Sequence, residues 1–159
     1  MTLGVLFVCL GNICRSPAAE AVFINRINSV GIESKFKVDS AGTGGWHIGN
    51  QADSRMRKAA LNRGINIQSR SRQINLNDFN EFDFILTMDH SNLLDVCSLS
   101  KECNSDIKAV IKPILSFSKE YKLEEVPDPY YGGEKGFEEV LDLLEDSIQG
   151  FLETINVSD

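Results

Sequence analysis

The segment Val8-Cys9-Leu10-Gly11-Asn12-Ile13-Cys14-Arg15-Ser16-Pro17 joins a continuous apolar run, residues 3–8, to an apolar-periodic stretch, residues 18–30, and this junction constrains the fold more than any other feature. A short uninterrupted apolar run suits a strand buried on both faces of a parallel sheet, and a helix following at once makes the pair the start of a strand-helix-strand unit. Such sheets gather ligands at the carboxyl ends of their strands, where the connecting loop must lie. Five residues separate Cys9 from Arg15. That is enough for a tight cradle whose backbone N–H groups face an anion, with the positive end of the next helix dipole behind it. Gly11 can take a positive φ and Asn12 tolerates one. Ser16 and Pro17 read as N-cap and first helical residue.

The alternation continues along the chain. Helices are predicted over residues 17–30, ended by Gly31, over 52–62, ended by Gly64, over 91–99 and over 137–155. Strands are predicted over 36–40, 82–88 and 107–111, with a glycine-rich loop at 41–49 and a long loop at 120–133. The closing helix carries Phe137, Val140, Leu141, Leu144, Ile148, Phe151, Leu152 and Ile155 on one side. Strands separated by helices argue for an α/β fold with a parallel sheet and right-handed crossovers. At 159 residues and 42% hydrophobic content, one domain over residues 1–159 suffices, without repeat or linker.

Charge and cysteine usage narrow the classes. Residues 1–75 carry ten Lys and Arg against four Asp and Glu, whereas residues 76–159 carry six against nineteen. Acidic substrates are therefore drawn to the N-terminal half, where Arg55, Arg57, Lys58, Arg63, Arg70 and Arg72 either steer them or form a solvated face. Nucleic acid is not an expected partner, because the net charge is −7 and no stripe interleaves basic and aromatic residues. No apolar run reaches membrane-spanning length and no leader pattern opens the chain, so a cytoplasmic location without membrane association is expected. Four cysteines are too few for a disulfide framework. Two histidines, His47 and His90, and scattered cysteines give no metal-ligand spacing, and no cofactor is expected.

The cradle implies chemistry. An anion-binding loop lowers a thiol pKa, so Cys9 is expected to be largely thiolate, with Arg15 supplying a planar fork for two phosphoryl oxygens. A departing oxyanion needs a proton, and Asp128, stiffened by Pro127 and Pro129, is one acidic candidate among many surface aspartates.

The motifs Val8 to Pro17, Val38-Asp39-Ser40-Ala41-Gly42, Met88-Asp89 and Asp128-Pro129-Tyr130-Tyr131-Gly132 together resemble the low-molecular-weight protein tyrosine phosphatases, in that family's motif order, over about residues 3–155. The resemblance implies a three-layer α/β/α fold of the phosphotyrosine protein phosphatase I type, with a four-stranded parallel sheet in the order 2-1-3-4. It implies a hydrolase acting on phosphotyrosine proteins and small aryl phosphates through a phosphocysteine on Cys9. Leu10, Gly11, Asn12, Ile13, Cys14 and Arg15 would bind the phosphoryl group, with Asp128 as general acid and then base. Ser16, Asn12 and Ser40 would brace the loop, and Ser69 stands where many members have a histidine, which shortens or rearranges that brace. Trp46, Tyr130 and Tyr131 would wall a slot for a phosphorylated ring, His47 and His90 being exposed and incidental. Cys14 is placed to trap oxidised Cys9 as a disulfide, making the thiol redox-sensitive. The protein is expected to be monomeric or weakly self-associating. Competing readings are an arsenate reductase using Cys97 and Cys103, a protein-arginine phosphatase, which tends to carry threonine at Ile13, and a non-enzymatic phosphotyrosine-binding module.

Overall fold

Alternation along one strand builds the layers. In β1 (Leu3–Cys9), Val5 and Phe7 face one core while Leu6 and Val8 face another, and all four are fully buried. This computed structural model describes residues 2–130 and 133–155. β1 is central: β2 (Phe36–Gly42) pairs on one side and β3 (Phe84–Thr87) on the other, with β4 (Val110–Pro113) beyond β3, all parallel in the order β2-β1-β3-β4. In this register Cys9 lies beside Gly42 and Val8 beside Thr87, so three strands end together.

The larger core lies between the sheet and α1 (Arg15–Ser29), α2 (Ser54–Leu61) and α5 (Glu134–Ile155). Phe23 is its hub, with ring centroids 5.6 Å from Phe7, 5.1 Å from Phe36 and 6.1 Å from Phe151. Each such ring contributes roughly 1.5–3 kcal/mol by leaving water. The smaller core packs α3 (Asp78–Glu81) and α4 (His90–Ser100) against Leu6, Val8 and Ile85 through Phe79, Phe82 and Val96. No helix among the described residues is long and apolar enough to cross a membrane.

Local structure departs from the sequence pattern in several places. α1 begins at Arg15, its N-cap is Cys14 without a side-chain cap bond, and Ser16 lies inside the helix, because its hydroxyl is committed elsewhere in the loop. α2 starts two residues later than predicted, at Ser54, where Asp53 accepts the Arg55 N–H at 2.8 Å. β4 is displaced toward the C-terminus, since the Lys108 and Ala109 N–H groups both donate to the Phe79 carbonyl, at 3.1 and 3.0 Å, and leave the ladder. β3 is shorter than its apolar run, and α3, four residues long, was not expected from the pattern.

Candidate active site

The loop after β1 turns its carbonyls outward. Those of Cys9, Leu10 and Gly11 accept from Thr43 N–H at 2.9 Å, Gly44 N–H at 2.9 Å and Ser71 Oγ at 3.0 Å, and that of Ile13 accepts from Asp53 N–H at 2.7 Å. Since C=O and the following N–H point oppositely across a trans peptide, outward carbonyls place the next N–H groups inward. The Asn12 N–H does point in, toward Cys9 Sγ at 3.3 Å. Asn12, not Gly11, takes the positive φ, 57°. Gly42 permits the close approach, because a Cβ there would lie 2.7 Å from the Leu10 carbonyl oxygen.

A single backbone group sets the direction of hydrogen bonding around Cys9 Sγ. The Arg72 N–H can only donate, and it meets Asn12 Oδ1 at 3.0 Å, so Asn12 Nδ2 must face the other way. Its two hydrogens go to Ser16 Oγ at 2.7 Å and Ser40 Oγ at 3.0 Å. Ser16 accepts from Asn12 and is free to donate its own hydrogen to Cys9 Sγ, 3.0 Å away, in preference to the Ala41 carbonyl at 3.4 Å. Ser40 passes its hydrogen to Glu20 Oε1 at 2.6 Å. Ser69 also acts on Glu20, favouring its charged form, so the brace runs on to a carboxylate that carries no motif signal of its own. Burial of Glu20 is the main reason its carboxyl is pushed above the usual range, against the pull of Ser40.

Arg15 is held from behind. Its side chain is 4% exposed, Nη1 donates to Asp89 Oδ2 at 2.7 Å and to the Val126 carbonyl at 3.1 Å, and Nη2 lies 3.9 Å from Asp128 Oδ2. Burial works against its charge, but Cys9, then Asp89, leave the guanidinium more firmly protonated than an ordinary arginine. Asp89 works twice, since Oδ1 also caps α4 by accepting the Asn92 N–H at 2.7 Å. The sequence reading quoted Asp89 without a role, although an aspartate between a strand and a helix is a cap signal. Asp128 Oδ1 accepts the Tyr130 N–H at 3.0 Å, which turns Oδ2 toward Arg15.

These groups line a cavity of about 230 Å³, with Cys9, Cys14, Arg15 and the loop at its base, Asp128 on one side, and Leu10, Ile13, Trp46, His47 and Tyr130 around it. Trp46 is 71% exposed and its ring lies over Gly44. His47 corrects the expectation of an incidental residue, for it is half-buried, lines the cavity and packs on Gly11. His90 is exposed beside Glu124. Arg55 leans over the Tyr130 ring at 5.5 Å and donates to its carbonyl at 3.1 Å. Tyr131 lies outside the described residues. Cys14 is buried, and burial is the chief reason its thiol is pushed up to about 12. Cys97 and Cys103 are half-buried and do not line the cavity.

Three members of the basic cluster tie segments together through ion pairs. Arg72 pairs with Asp39 and Asp78, both at 3.0 Å, Arg63 with Glu138, Asp142 and Glu145, and Arg55 with Asp53. Charges so neutralised contribute little steering.

A sulfur facing two donors, in a cradle of inward N–H groups with a fixed guanidinium and a carboxyl group, is equipped for nucleophilic phosphoryl transfer. The fold and this site define the class of cysteine-dependent phosphatases. Residues 4–158 match the family model of low molecular weight phosphotyrosine protein phosphatase. The human low molecular weight phosphotyrosine protein phosphatase is 43% identical over 152 residues, covering 96% of this chain and 95% of its own. The crystal structure of a protein tyrosine phosphatase from Entamoeba histolytica superposes with a TM-score of 0.92 at 45% identity, covering 98% of this chain and 97% of its own. That of a Drosophila arginine phosphatase also reaches 0.92, at 31% identity and covering 98% and 99%. The chain belongs to the low molecular weight phosphotyrosine protein phosphatase family.

Proposed function

We propose that the protein hydrolyses phosphotyrosine in proteins in two steps, with Cys9 as nucleophile, Arg15 as clamp and Asp128 as proton carrier. Cys9 sulfur attacks phosphorus, a P–S bond forms and the P–O bond to the phenol breaks, while Asp128 gives its proton to the departing oxygen. The inward N–H groups of the loop and the Arg15 fork hold the three non-bridging oxygens as charge redistributes over them. In the second step Asp128 takes a proton from water, the water oxygen attacks phosphorus, the P–S bond breaks, and inorganic phosphate leaves. Asn12, Ser16 and Ser40 keep donors aimed at the sulfur that departs in this step. The observation that carries the reading is the donor chain starting at Arg72 N–H and ending at Cys9 Sγ.

The tyrosine preference rests on the walls. Leu10, Ile13, Trp46 and Tyr130 give the cavity apolar sides matched to a phenyl ring, and Tyr131 is assigned to the same wall from its place in the sequence. An arginine phosphatase can share this fold, so the walls rather than the topology support the aryl substrate. The reading further takes residues 1–159 as one catalytic domain, monomeric or weakly self-associating, working in the cytoplasm where thiols stay reduced.

A series of aryl phosphates of graded phenol acidity tests the assignment. Cys9→Ser should abolish turnover yet still bind phosphate, and Asp128→Ala should slow poor leaving groups by roughly 10²–10⁴ while hardly touching the most acidic phenols. Equal loss across the series would remove Asp128 from the proton-carrying role. Residual turnover above a trace in Cys9→Ser would overturn the covalent route.

A further inference from the structure

A second cleft of about 290 Å³, sharing no lining residue with the cavity above Cys9, lies between α1 and the segment 66–69. Pro17, Ala21 and Ile24 give it an apolar side, Asn66 and Gln68 two amides, and Glu20 a carboxylate. Glu20 is half-buried there and accepts from the Ser40 hydroxyl at 2.6 Å, with Ser69 also lining the cleft. A carboxylate offers about four lone-pair positions, so the Ser40 bond leaves acceptor capacity for a further donor in the cleft. No described ion pair includes Glu20. The nearest cation acting on it, Arg72, is shared between Asp39 and Asp78, and Asp39 itself adds negative charge. The result is a desolvated anion in a wet, partly apolar slot without a cation of its own, an environment that raises its affinity for protons and for positive ligands alike.

We propose that this cleft is a binding site for a small planar organic cation of the guanidinium or amidinium class, held by Glu20 and sensed by the phosphate loop. A planar cation can give two parallel N–H bonds to the carboxylate, its remaining N–H groups can reach the amide oxygens of Asn66 or Gln68, and its flat face suits the apolar side. Glu20 connects to the nucleophile through only three side chains: Glu20 accepts from Ser40, Ser40 from Asn12, and Asn12 also donates to Ser16 beside Cys9. A bound cation keeps Glu20 ionised, and an ionised Glu20 obliges Ser40 to donate toward it. A protonated Glu20 can donate to Ser40 instead, which frees the Ser40 hydroxyl to rotate and loosens the bond it accepts from Asn12, whose own direction the Arg72 N–H still fixes. Occupancy therefore stiffens the brace. The groups that set Glu20's charge are those facing it: Ser40 and Asp39 from β2, and Ser69 and Arg72 from the segment beyond residue 66.

Methylguanidinium chloride is the probe, with sodium chloride at equal ionic strength as reference and the full chain held saturated with inorganic phosphate. Amide NMR shifts should move saturably at residues 20, 66, 68 and 69, and Glu20→Gln should weaken binding at least about tenfold, or roughly 1.4 kcal/mol. Ile24→Arg, at the exposed rim, places a cation over the cleft and should abolish probe binding while leaving the fold intact. Without phosphate, the probe should raise kcat for an aryl phosphate at acidic pH, where Glu20 is partly protonated, and leave it unchanged at alkaline pH. This transmission rests on the phosphatase reading, whereas binding does not. Absence of a saturable shift, or equal binding by both variants and the wild type, overturns the site. Binding without the pH-dependent change in kcat overturns the link to the loop and leaves the phosphatase reading standing.

Discussion

Asp89 serves two structures with two oxygens, and its substitutions should therefore separate stability from activity. Oδ1 caps α4 and Oδ2 anchors Arg15, with Asp89 21% exposed and Arg15 4%. Alanine removes both contacts. Loss of the cap costs about 1 kcal/mol. Leaving the guanidinium uncompensated costs about 2–3 kcal/mol, below the roughly 3–5 kcal/mol of a fully buried pair, because Asp89 is partly wet and the Val126 carbonyl remains. Asparagine keeps an oxygen for the Asn92 N–H but turns an amide NH₂ toward Arg15, so it loses the anchor and keeps the cap. Thermal unfolding by circular dichroism should place Asp89→Ala about 6–16 °C below the wild type, and Asp89→Asn about 2–4 °C above the alanine variant. Both variants release the same guanidinium, so kcat/KM for an aryl phosphate should fall by the same factor in each, on the order of 10–100. Equal unfolding temperatures for the two variants, or wild-type kcat/KM in Asp89→Asn, would refute the division of labour between the oxygens.

Three further outcomes are expected. Trp46→Ala should raise KM for a phosphotyrosine peptide roughly 2–10-fold with little change in kcat, because an aromatic wall is worth about 0.5–1.5 kcal/mol and touches neither phosphorus nor proton; a fall in kcat alone would contradict this. Peroxide should convert Cys9 to a sulfenic acid that Cys14 displaces as a disulfide, releasing water. With the Cys14 thiol held near 12 by burial, the closure rate should climb with pH through the neutral range, and mass spectrometry showing a Cys9–Cys97 or Cys9–Cys103 link instead would count against it. Gly150→Ala should lower stability by about 1–3 kcal/mol in denaturant titration although alanine is the better helix former, since a Cβ at that position in α5 would meet the Phe117 carbonyl oxygen at 1.9 Å; a gain in stability would show that the helix can shift.

The parallel sheet was legible because β1 is a continuous apolar run and helix signals separate the strands, its order only through the resemblance of the motifs to a known family, and the tight loop from Cys9 to Arg15 because it is contiguous. What escaped was tertiary. Glu20 has the spacing of an ordinary helix residue, and only folding brings it to Ser40 and Ser69. His47 carries no local signal for lying against Gly11 across the loop. Ser16-Pro17 has the residue types of a helix start, yet the Ser16 hydroxyl is bonded to a sulfur seven residues earlier, a demand no propensity encodes. The start of β4 was misplaced because Phe79, far back in the chain, draws off the N–H groups of Lys108 and Ala109.

Trp46 is the only tryptophan in the chain, and the aromatic residues of the described core are phenylalanines. Near-ultraviolet excitation at the red edge of protein absorption therefore lights a single spot, the rim of the substrate cavity, where the indole lies over Gly44 and meets solvent. Emission becomes an occupancy gauge that needs no label: an aryl phosphate sliding beside the indole displaces water and changes its colour and yield, whereas repacking around Phe23 passes unseen. Stopped-flow traces of this signal would time ligand arrival and phosphate departure directly.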